Sequence, residues 1–223
     1  MNPPYLSRAR LRRVGHAAAL LPLLTPQRNT LGASHNLVWA LFGDHAERQR
    51  DFLFRETGPG EFMLLSARPP TNGTGLFEIA TPKPFEPKLR PGQTLQFDLR
   101  VNATVDVPGR DGKTRKVGVV SHALFGGNRG IDRESRAQEA ALSWLARQGE
   151  KHGFELNRSH SHLVRWQTQA VDRKRDQKAT LEILDIQGLL TVKEPEAFLR
   201  KVREGFGRSR GFGNGLMLVR RAS

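Results

Sequence analysis

The sequence contains no cysteine and only one tyrosine among its 223 residues. Without cysteine the protein has no disulfide, no thiol nucleophile and no cysteine-ligated zinc site. No apolar run approaches the length of a transmembrane helix, so we expect no membrane partner. The short apolar stretch within residues 17–24 lacks a small-residue cleavage site, so we expect no export signal. These absences fit a cytoplasmic protein, for which we expect no metal and no cofactor.

Positive charge, in contrast, is in large excess. The chain has 36 lysines and arginines against 22 acidic residues, which gives a formal net charge of +14. Such an excess is typical of proteins that bind nucleic acid. A generally basic protein or a membrane-surface binder is the alternative. It is disfavoured because the basic residues alternate with glycines and aromatics instead of forming one amphipathic helix.

The most informative segment, residues 205–215, is called the glycine loop below. Its arginines, Arg208 and Arg210, can give bidentate donors to phosphate. Dinucleotide and P-loop motifs follow a strand and open a helix, whereas an apolar strand follows here. We therefore interpret the segment as another kind of phosphate-binding loop. The glycines that let a ligand approach its backbone closely include Gly211, Gly213 and Gly215.

The first predicted strand covers residues 5–14 and carries a basic face. Because strand side chains alternate, Arg8, Arg10 and Arg12 share one side. RNA-binding βαββαβ modules present a basic sheet surface of this kind.

The next predicted element is a helix over residues 34–43, with Ser34 as its N-cap and Gly43 as its end. His35 would then lie in the first turn. The positive end of a helix disfavours an imidazolium, so this position favours a neutral imidazole that can accept a proton.

The remaining pattern predicts a hairpin within residues 50–66, a strand at residues 76–80 and irregular structure in the proline-rich residues 81–87. Residues 106–130 form a basic, glycine-containing insert, interpreted as a solvated loop with a nucleic-acid clamp as the alternative. The second half is predicted to contain a strand at 94–102, a helix at 131–148, strands at 166–171 and 180–186, and a helix at 196–204.

This order of elements predicts an α+β fold made of two tandem ferredoxin-like (RRM-like, βαββαβ) domains. The first domain, residues 1–90, would hold the histidine and lack a regular second helix. The second, residues 91–223, would hold the basic insert and the glycine loop.

The chain resembles the CasE-type CRISPR RNA endoribonucleases, the repeat-cleaving subunits of type I-E Cascade. The order of a histidine helix, a Leu-Arg-x-Asn strand and the glycine loop carries the resemblance. The matching segments are Tyr5-Leu6-Ser7-Arg8, His35 before residues 37–42, Arg50-Asp51-Phe52-Leu53-Phe54, Pro82-Lys83-Pro84-Phe85, residues 91–97, Leu99-Arg100-Val101-Asn102-Ala103 and residues 207–216.

The resemblance implies that the protein binds the CRISPR repeat hairpin and cuts it without metal to leave a 2′,3′-cyclic phosphate. It also implies that the mature crRNA is retained and that the other Cascade subunits, the backbone and Cas5-type proteins, are partners. The catalytic histidine of the family corresponds to His35. Where the family commonly has a tyrosine, three residues earlier, this chain has Gly32.

The residues and the resemblance together give one catalytic candidate, His35, and a set of RNA-binding candidates. A non-catalytic hairpin-binding subunit of the same fold is the alternative, and a ribosomal-type basic protein is a third possibility. The RNA-binding candidates are Arg8, Arg10, Arg28, Arg110, Lys113, Arg115, Lys116, Arg133, Arg136, Lys178, Arg208, Arg210, Gly211, Gly213 and Gly215.

Overall fold

The computed structural model describes residues 3–12, 30–43, 50–109, 112–125, 132–173 and 177–222. Within these residues the chain forms two antiparallel sheets with helices packed against them, and a separate two-stranded hairpin. No helix in the described ranges is both long and apolar enough to cross a membrane.

The first sheet is built from the first third of the chain, in the order β2-β3-β1-β4, with β5 paired to β1. Helix α1 packs on one face of it through the apolar side chains of Leu37, Val38, Leu41 and Phe42. The elements are β1 (Tyr5–Leu11), α1 (Thr30–Trp39), β2 (Phe52–Gly58), β3 (Glu61–Ser66), β4 (Phe77–Ile79) and β5 (Lys83–Pro84).

The second sheet has the order β11-β6-β10-β9. Strands β9 and β10 form a long hairpin that extends past the end of β6. The elements are β6 (Thr94–Val101), β7 (Thr104–Pro108), β8 (Thr114–Gly118), α2 (Val119–Leu124), α3 (Arg133–His152), β9 (Phe154–Arg173), β10 (Gln177–Val192), α4 (Pro195–Glu204) and β11 (Met217–Arg221).

The two halves share part of their core. Leu53 of β2 and Leu65 of β3 belong to the apolar cluster built mainly from the second sheet and its helices. Arg55, which is buried, also donates to Asp98 of β6 across a distance of 2.7 Å. These contacts fix how the first half sits against the glycine loop.

Three sequence predictions about local structure are wrong. Helix α1 begins at Thr30, four residues before the predicted cap. The proline-rich segment is partly regular, because Lys83–Pro84 pairs with β1 at a sheet edge, where the ladder donors that proline lacks are not needed. The basic insert is not a loop: its described part forms the β7–β8 hairpin and helix α2.

A buried carboxylate explains how the insert is held in place. Glu182 of β10 accepts the backbone N–H groups of Val120 and Ser121 at the start of α2, at 2.9 and 2.8 Å. A Cβ at Gly118 would lie 2.3 Å from this carboxylate. Only glycine therefore lets the chain pass so close to the Glu182 side chain.

Candidate active site and RNA interface

His35 lies where the two halves of the protein meet. It projects from α1 of the first half, and its Nδ1 is 2.6 Å from the backbone oxygen of Gly211 in the glycine loop. The ring stacks on Phe212 with centroids 5.3 Å apart, and Trp39 lies edge-on at 6.1 Å. The imidazole is thus held by one hydrogen bond and two aromatic contacts, while the residue stays partly exposed.

The contact with Gly211 determines which nitrogen carries the proton. A carbonyl oxygen can only accept, so Nδ1 of His35 must be the donor. In the neutral ring the other nitrogen, Nε2, then has a free lone pair. Such a nitrogen can accept a proton from a hydroxyl group.

The structure corrects the helix position from which the sequence predicted a neutral imidazole. Because α1 begins at Thr30, His35 lies in the second turn, where the effect of the helix end has declined. Ser34 is not the cap of this helix. Its hydroxyl donates to Glu56 of β2 at 2.6 Å, which ties α1 to the first sheet.

The glycine loop is held in one conformation by contacts with β6 and by its own side chains. Asn102 donates to the hydroxyl of Ser209 at 3.0 Å, and its carbonyl accepts the N–H of Arg208 at the same distance. The side chain of Asn214 is fully buried and donates to two carbonyls of the loop. The Leu-Arg-x-Asn strand therefore supports the loop directly.

The three glycines predicted to contact a ligand differ in their surroundings and exposure. Gly213 has a φ of +75°, and a Cβ there would lie 3.0 Å from the Phe54 ring. Gly215 is buried, and its N–H is donated to the carbonyl of Arg100 at 2.7 Å, so it shapes the loop and does not offer that donor to phosphate. Gly211 is the partly exposed glycine that adjoins His35.

Arg50, just before β2, belongs to the site although the sequence reading treated it only as a strand residue. A Cβ placed on Gly211 would lie 3.6 Å from Nη1 of Arg50 and 3.7 Å from both Nδ1 and Cε1 of His35. Nη1 is buried and has no hydrogen-bond partner. Burial, and next the charge of Arg210, lower the pKa of Arg50. The sequence placed Arg50 in a segment shared with the family but gave it no role in the site, because its neighbours there come from other parts of the chain.

The arginines of the first strand lie on one exposed face, as expected. Both Arg8 and Arg10 pair with the single carboxylate of Glu61, at 2.8 and 3.3 Å. This face of the first sheet is therefore less positive than the sequence suggests. Arg208 of the glycine loop is exposed, whereas Arg210 is partly buried and donates to the carbonyl of Glu204.

The basic residues of the insert lie on the exposed strand β8 and the turn before it. Lys113, Arg115 and Lys116 are all exposed, and Lys116 pairs with Asp106 of β7. Arg110 lies outside the described residues, as does Arg28.

Two arginines of α3 already have contacts inside the protein. The guanidinium of Arg133 lies 5.0 Å from the centre of the Trp166 ring, and Arg136 donates to the carbonyl of Ala123 in α2. Lys178 lies in β10, opposite Asp172 near the turn of the long hairpin. A role of these residues in RNA binding stays a prediction.

The closely spaced histidines His160 and His162 of β9 do not gather with other metal ligands of the described chain. His160 is exposed and contacts Asn157 and Ser159. Within the described part of the chain, no three His, Asp or Glu side chains come together in a way that could hold a metal ion. His45 and Asp44 lie outside the described residues.

The fold and site define a class: an α+β protein of two antiparallel sheets in which a helix histidine is held by a glycine-rich loop. The family model described as "CRISPR associated protein" matches residues 4–221, and the chain belongs to this family.

Named relatives agree with this. The chain is 29% identical over 154 residues to the CRISPR-associated endoribonuclease Cse3 of Thermus thermophilus, an alignment that covers 65% of this chain and 64% of that relative. It is 24% identical over 188 residues to the CRISPR system Cascade subunit CasE of Escherichia coli, covering 82% of this chain and 88% of CasE.

The fold is shared with solved structures. The structure of CRISPR endoribonuclease Cse3 bound to a 19-nucleotide RNA matches with a TM-score of 0.69 and 24% identity, covering 97% of this chain and 99% of the other. At this level of identity the likeness establishes the mixed α/β fold with antiparallel sheets.

Proposed function

We propose that the protein is a metal-independent endoribonuclease that binds and cleaves the CRISPR repeat hairpin of precursor crRNA. The observation that carries this proposal is the bond between His35 and Gly211, which leaves Nε2 free to accept a proton. The names of the relatives, an endoribonuclease and a Cascade subunit, support the same reaction and setting. We place the reaction in the cytoplasm, as expected from the sequence.

The proposed chemistry is internal attack of a ribose 2′-oxygen on the neighbouring phosphorus. The new O2′–P bond forms as the P–O5′ bond breaks, and the 2′ proton passes to Nε2 of His35. The leaving 5′-oxygen takes up a proton, which water can supply. No metal is required to generate the nucleophile, because the 2′-hydroxyl is already tethered beside the phosphate. The product ends in a 2′,3′-cyclic phosphate.

Cations near His35 would stabilise the negative charge that develops on the phosphate oxygens. The sequence suggested Arg28, Lys178 or Arg210 for this role, and Arg50 is a further candidate, because its guanidinium adjoins Gly211. Donors that are already in position stabilise such charge more than donors that must reorganise.

A non-catalytic hairpin-binding subunit of the same fold is the second candidate. It is favoured by one observation: Gly32, which has no side chain, stands where the family commonly has a tyrosine. The contacts of His35 with Phe212 and Trp39 offer another way to orient the ring. We therefore rank the enzyme first.

The finer description of the fold is also part of this proposal. We infer two tandem ferredoxin-like domains, residues 1–90 and 91–223. The support is the strand order that the two sheets share. In the first sheet β1 lies between β4 and β3, with β2 at the edge. In the second sheet β6 lies between β11 and β10, with β9 at the edge. The first unit has no helix between β3 and β4, where every residue is described.

The RNA would lie across the junction of the two halves. The exposed basic residues of β8, the arginines of α3 and the glycine loop would contact its phosphates. A-form RNA has a narrow major groove, so recognition by shape and phosphate contacts is expected. The processed RNA would stay bound within Cascade, beside the backbone and Cas5-type subunits.

The test is cleavage of the cognate repeat hairpin in the presence of EDTA. We expect the natural protein to cut, and the His35→Ala variant to bind the hairpin without cutting. An RNA with 2′-deoxyribose at the cut should bind and stay intact, because it has no nucleophile. Cleavage that requires added divalent metal would refute the mechanism. Tight binding without cleavage by the natural protein would establish the binding subunit instead.

A further inference from the structure

A cleft of about 580 Å³ opens between the two halves, beside the candidate active site. It is called the Arg50 cleft here. Its basic residues are Arg50, Arg203 and Arg210, and its wall includes Leu53 and Leu65 from the first sheet. Clefts of this size between structural units commonly bind small molecules or parts of larger ligands.

The guanidinium of Arg50 is only partly satisfied within the protein. Its Nη1 is buried without a hydrogen-bond partner, and burial, and next the charge of Arg210, lower its pKa. An anion between the two arginines would relieve this repulsion, and guanidinium groups bind phosphate oxygens in pairs. The cleft therefore has a phosphate-binding end at Arg50 and Arg210.

The rest of the cleft suits a nucleobase. Pro4, Leu53 and Leu65 give it an apolar wall, against which the face of a base can pack. Glu86 and Glu204 also line it. Carboxylates accept hydrogen bonds, so they can receive the amino groups at the edge of a base but cannot contact phosphate favourably. Its volume lies within the range of natural pockets for small ligands.

Arg50 links the cleft to the candidate active site. It lines the cleft and also lies close to Gly211, which adjoins His35, whereas His35 is not part of the cleft wall. In the proposed reaction, the nucleotide before the cut must place its 2′-hydroxyl at His35. The phosphate then lies towards Arg50, and the following nucleotide continues into the cleft.

We propose that the Arg50 cleft binds the nucleotide on the 3′ side of the cut, with Arg50 and Arg210 facing the phosphate that precedes it. This inference rests on the proposed function, since it names a subsite of the same reaction. The cleft thereby orients the 3′ nucleotide, and with it the phosphate, relative to the attacking oxygen.

The test combines a change in the RNA with a change in the cleft. Ala67 is exposed and lines the cleft, so Ala67→Trp would fill it, and Ala67→Ser is the matched control that leaves it open. We expect an abasic 3′ nucleotide to slow single-turnover cleavage by the natural protein about tenfold, as the loss of one base contact would. Ala67→Trp should slow cleavage of the intact RNA by a similar factor, and the abasic change should then add nothing.

Equal cleavage of intact and abasic RNA by the natural protein would overturn the subsite. The subsite would also be overturned if the abasic change and Ala67→Trp slowed cleavage independently, so that their effects multiplied. An effect of Ala67→Trp that depended on the base before the cut would overturn it as well. Ala67→Ser should behave as the natural protein in every arm.

A binding experiment separates failure of the subsite from failure of the proposed function. The probe is a hairpin with 2′-deoxyribose before the cut and 2-aminopurine as the 3′ nucleotide, which cannot be cleaved. We expect its fluorescence to change on binding to the natural protein and to Ala67→Ser, but not on binding to Ala67→Trp. The same signal with all three proteins would refute the cleft, whether or not the protein is an enzyme.

Discussion

His35 has two separable roles in this structure, and two substitutions can tell them apart. Its Nδ1 anchors the glycine loop through Gly211, and its Nε2 is the proposed proton acceptor. Asparagine places an amide nitrogen the same number of bonds from the backbone as Nδ1. His35→Asn therefore keeps a donor for the Gly211 carbonyl but has no group at the position of Nε2. His35→Ala loses both.

The contacts of the ring set the expected effect on stability. One hydrogen bond contributes about 0.5–1.5 kcal/mol to folding, and one aromatic contact such as that with Phe212 contributes about as much again. We expect His35→Ala to lower the free energy of unfolding by about 1–3 kcal/mol. His35→Asn should lower it by about 1 kcal/mol, because only the stacking is lost.

Cleavage should respond differently from stability. Removal of a general base commonly slows a reaction by about 10²–10⁴-fold. Both variants should lose cleavage to this extent in single-turnover assays, while urea denaturation separates them in stability. If His35→Asn retained cleavage near the natural rate, Nε2 would not be the base. If the two variants were equally unstable, the Gly211 bond would not anchor the loop.

Three further predictions concern other parts of the molecule. Lys113→Gln should weaken hairpin binding and lower the slope of log affinity against log salt by about one, whereas Lys193→Gln, away from the proposed surface, should change neither. Glu182→Gln should lower the free energy of unfolding in urea by about 1–3 kcal/mol, because the start of α2 loses a charged acceptor. Burial, and next the charge of Lys201, lower the pKa of His152 below its ordinary value of 6.5. The folded protein therefore favours neutral His152. The stability that this preference contributes is fully present above pH 6.5 and is lost as the pH falls through the lowered pKa of the folded state. His152→Gln should therefore match the natural melting temperature at pH 8 and exceed it at pH 5.

Each of these predictions has a contradicting result. An unchanged salt slope for Lys113→Gln would remove β8 from the RNA surface. Unaltered stability of Glu182→Gln would mean that α2 does not depend on this carboxylate. A melting temperature of His152→Gln that falls below the natural one at pH 5 would contradict the sign of the pKa shift.

Local patterns predicted most of the elements because their causes are local. The helices predicted at residues 34–43 and 131–148 exist as α1 and α3, and each buries an apolar stripe at helical spacing. The helix predicted at residues 196–204 is α4, which Pro195 begins and Gly205 ends. The His35 candidate also came from a local feature, a histidine at the predicted start of a helix, supported by a family resemblance.

The errors at the insert and at Lys83–Pro84, and the missed Arg50, share a physical cause, which is that the deciding partner is distant in sequence. The insert is ordered by Glu182, 62 residues beyond Val120, and no local propensity reports that contact. The edge pairing of Lys83–Pro84 likewise depends on β1, far back in the chain. Arg50 was missed for the same reason, because its neighbours in the site come from the opposite end of the protein.

The candidate site lies at the junction of the two halves because its parts are also distant in sequence. His35 and Gly211 are 176 residues apart, and neither half alone supplies both the imidazole and the carbonyl that fixes its tautomer. The loop reaches His35 because Gly213 packs on Phe54 and Gly205 packs on Leu53, both in β2 of the first half. The contacts that dock the halves are therefore also the contacts that complete the site. The contact between the two halves fixes the Nδ1 proton of His35 before RNA binds. Binding energy from the hairpin can therefore be used to orient the scissile phosphate.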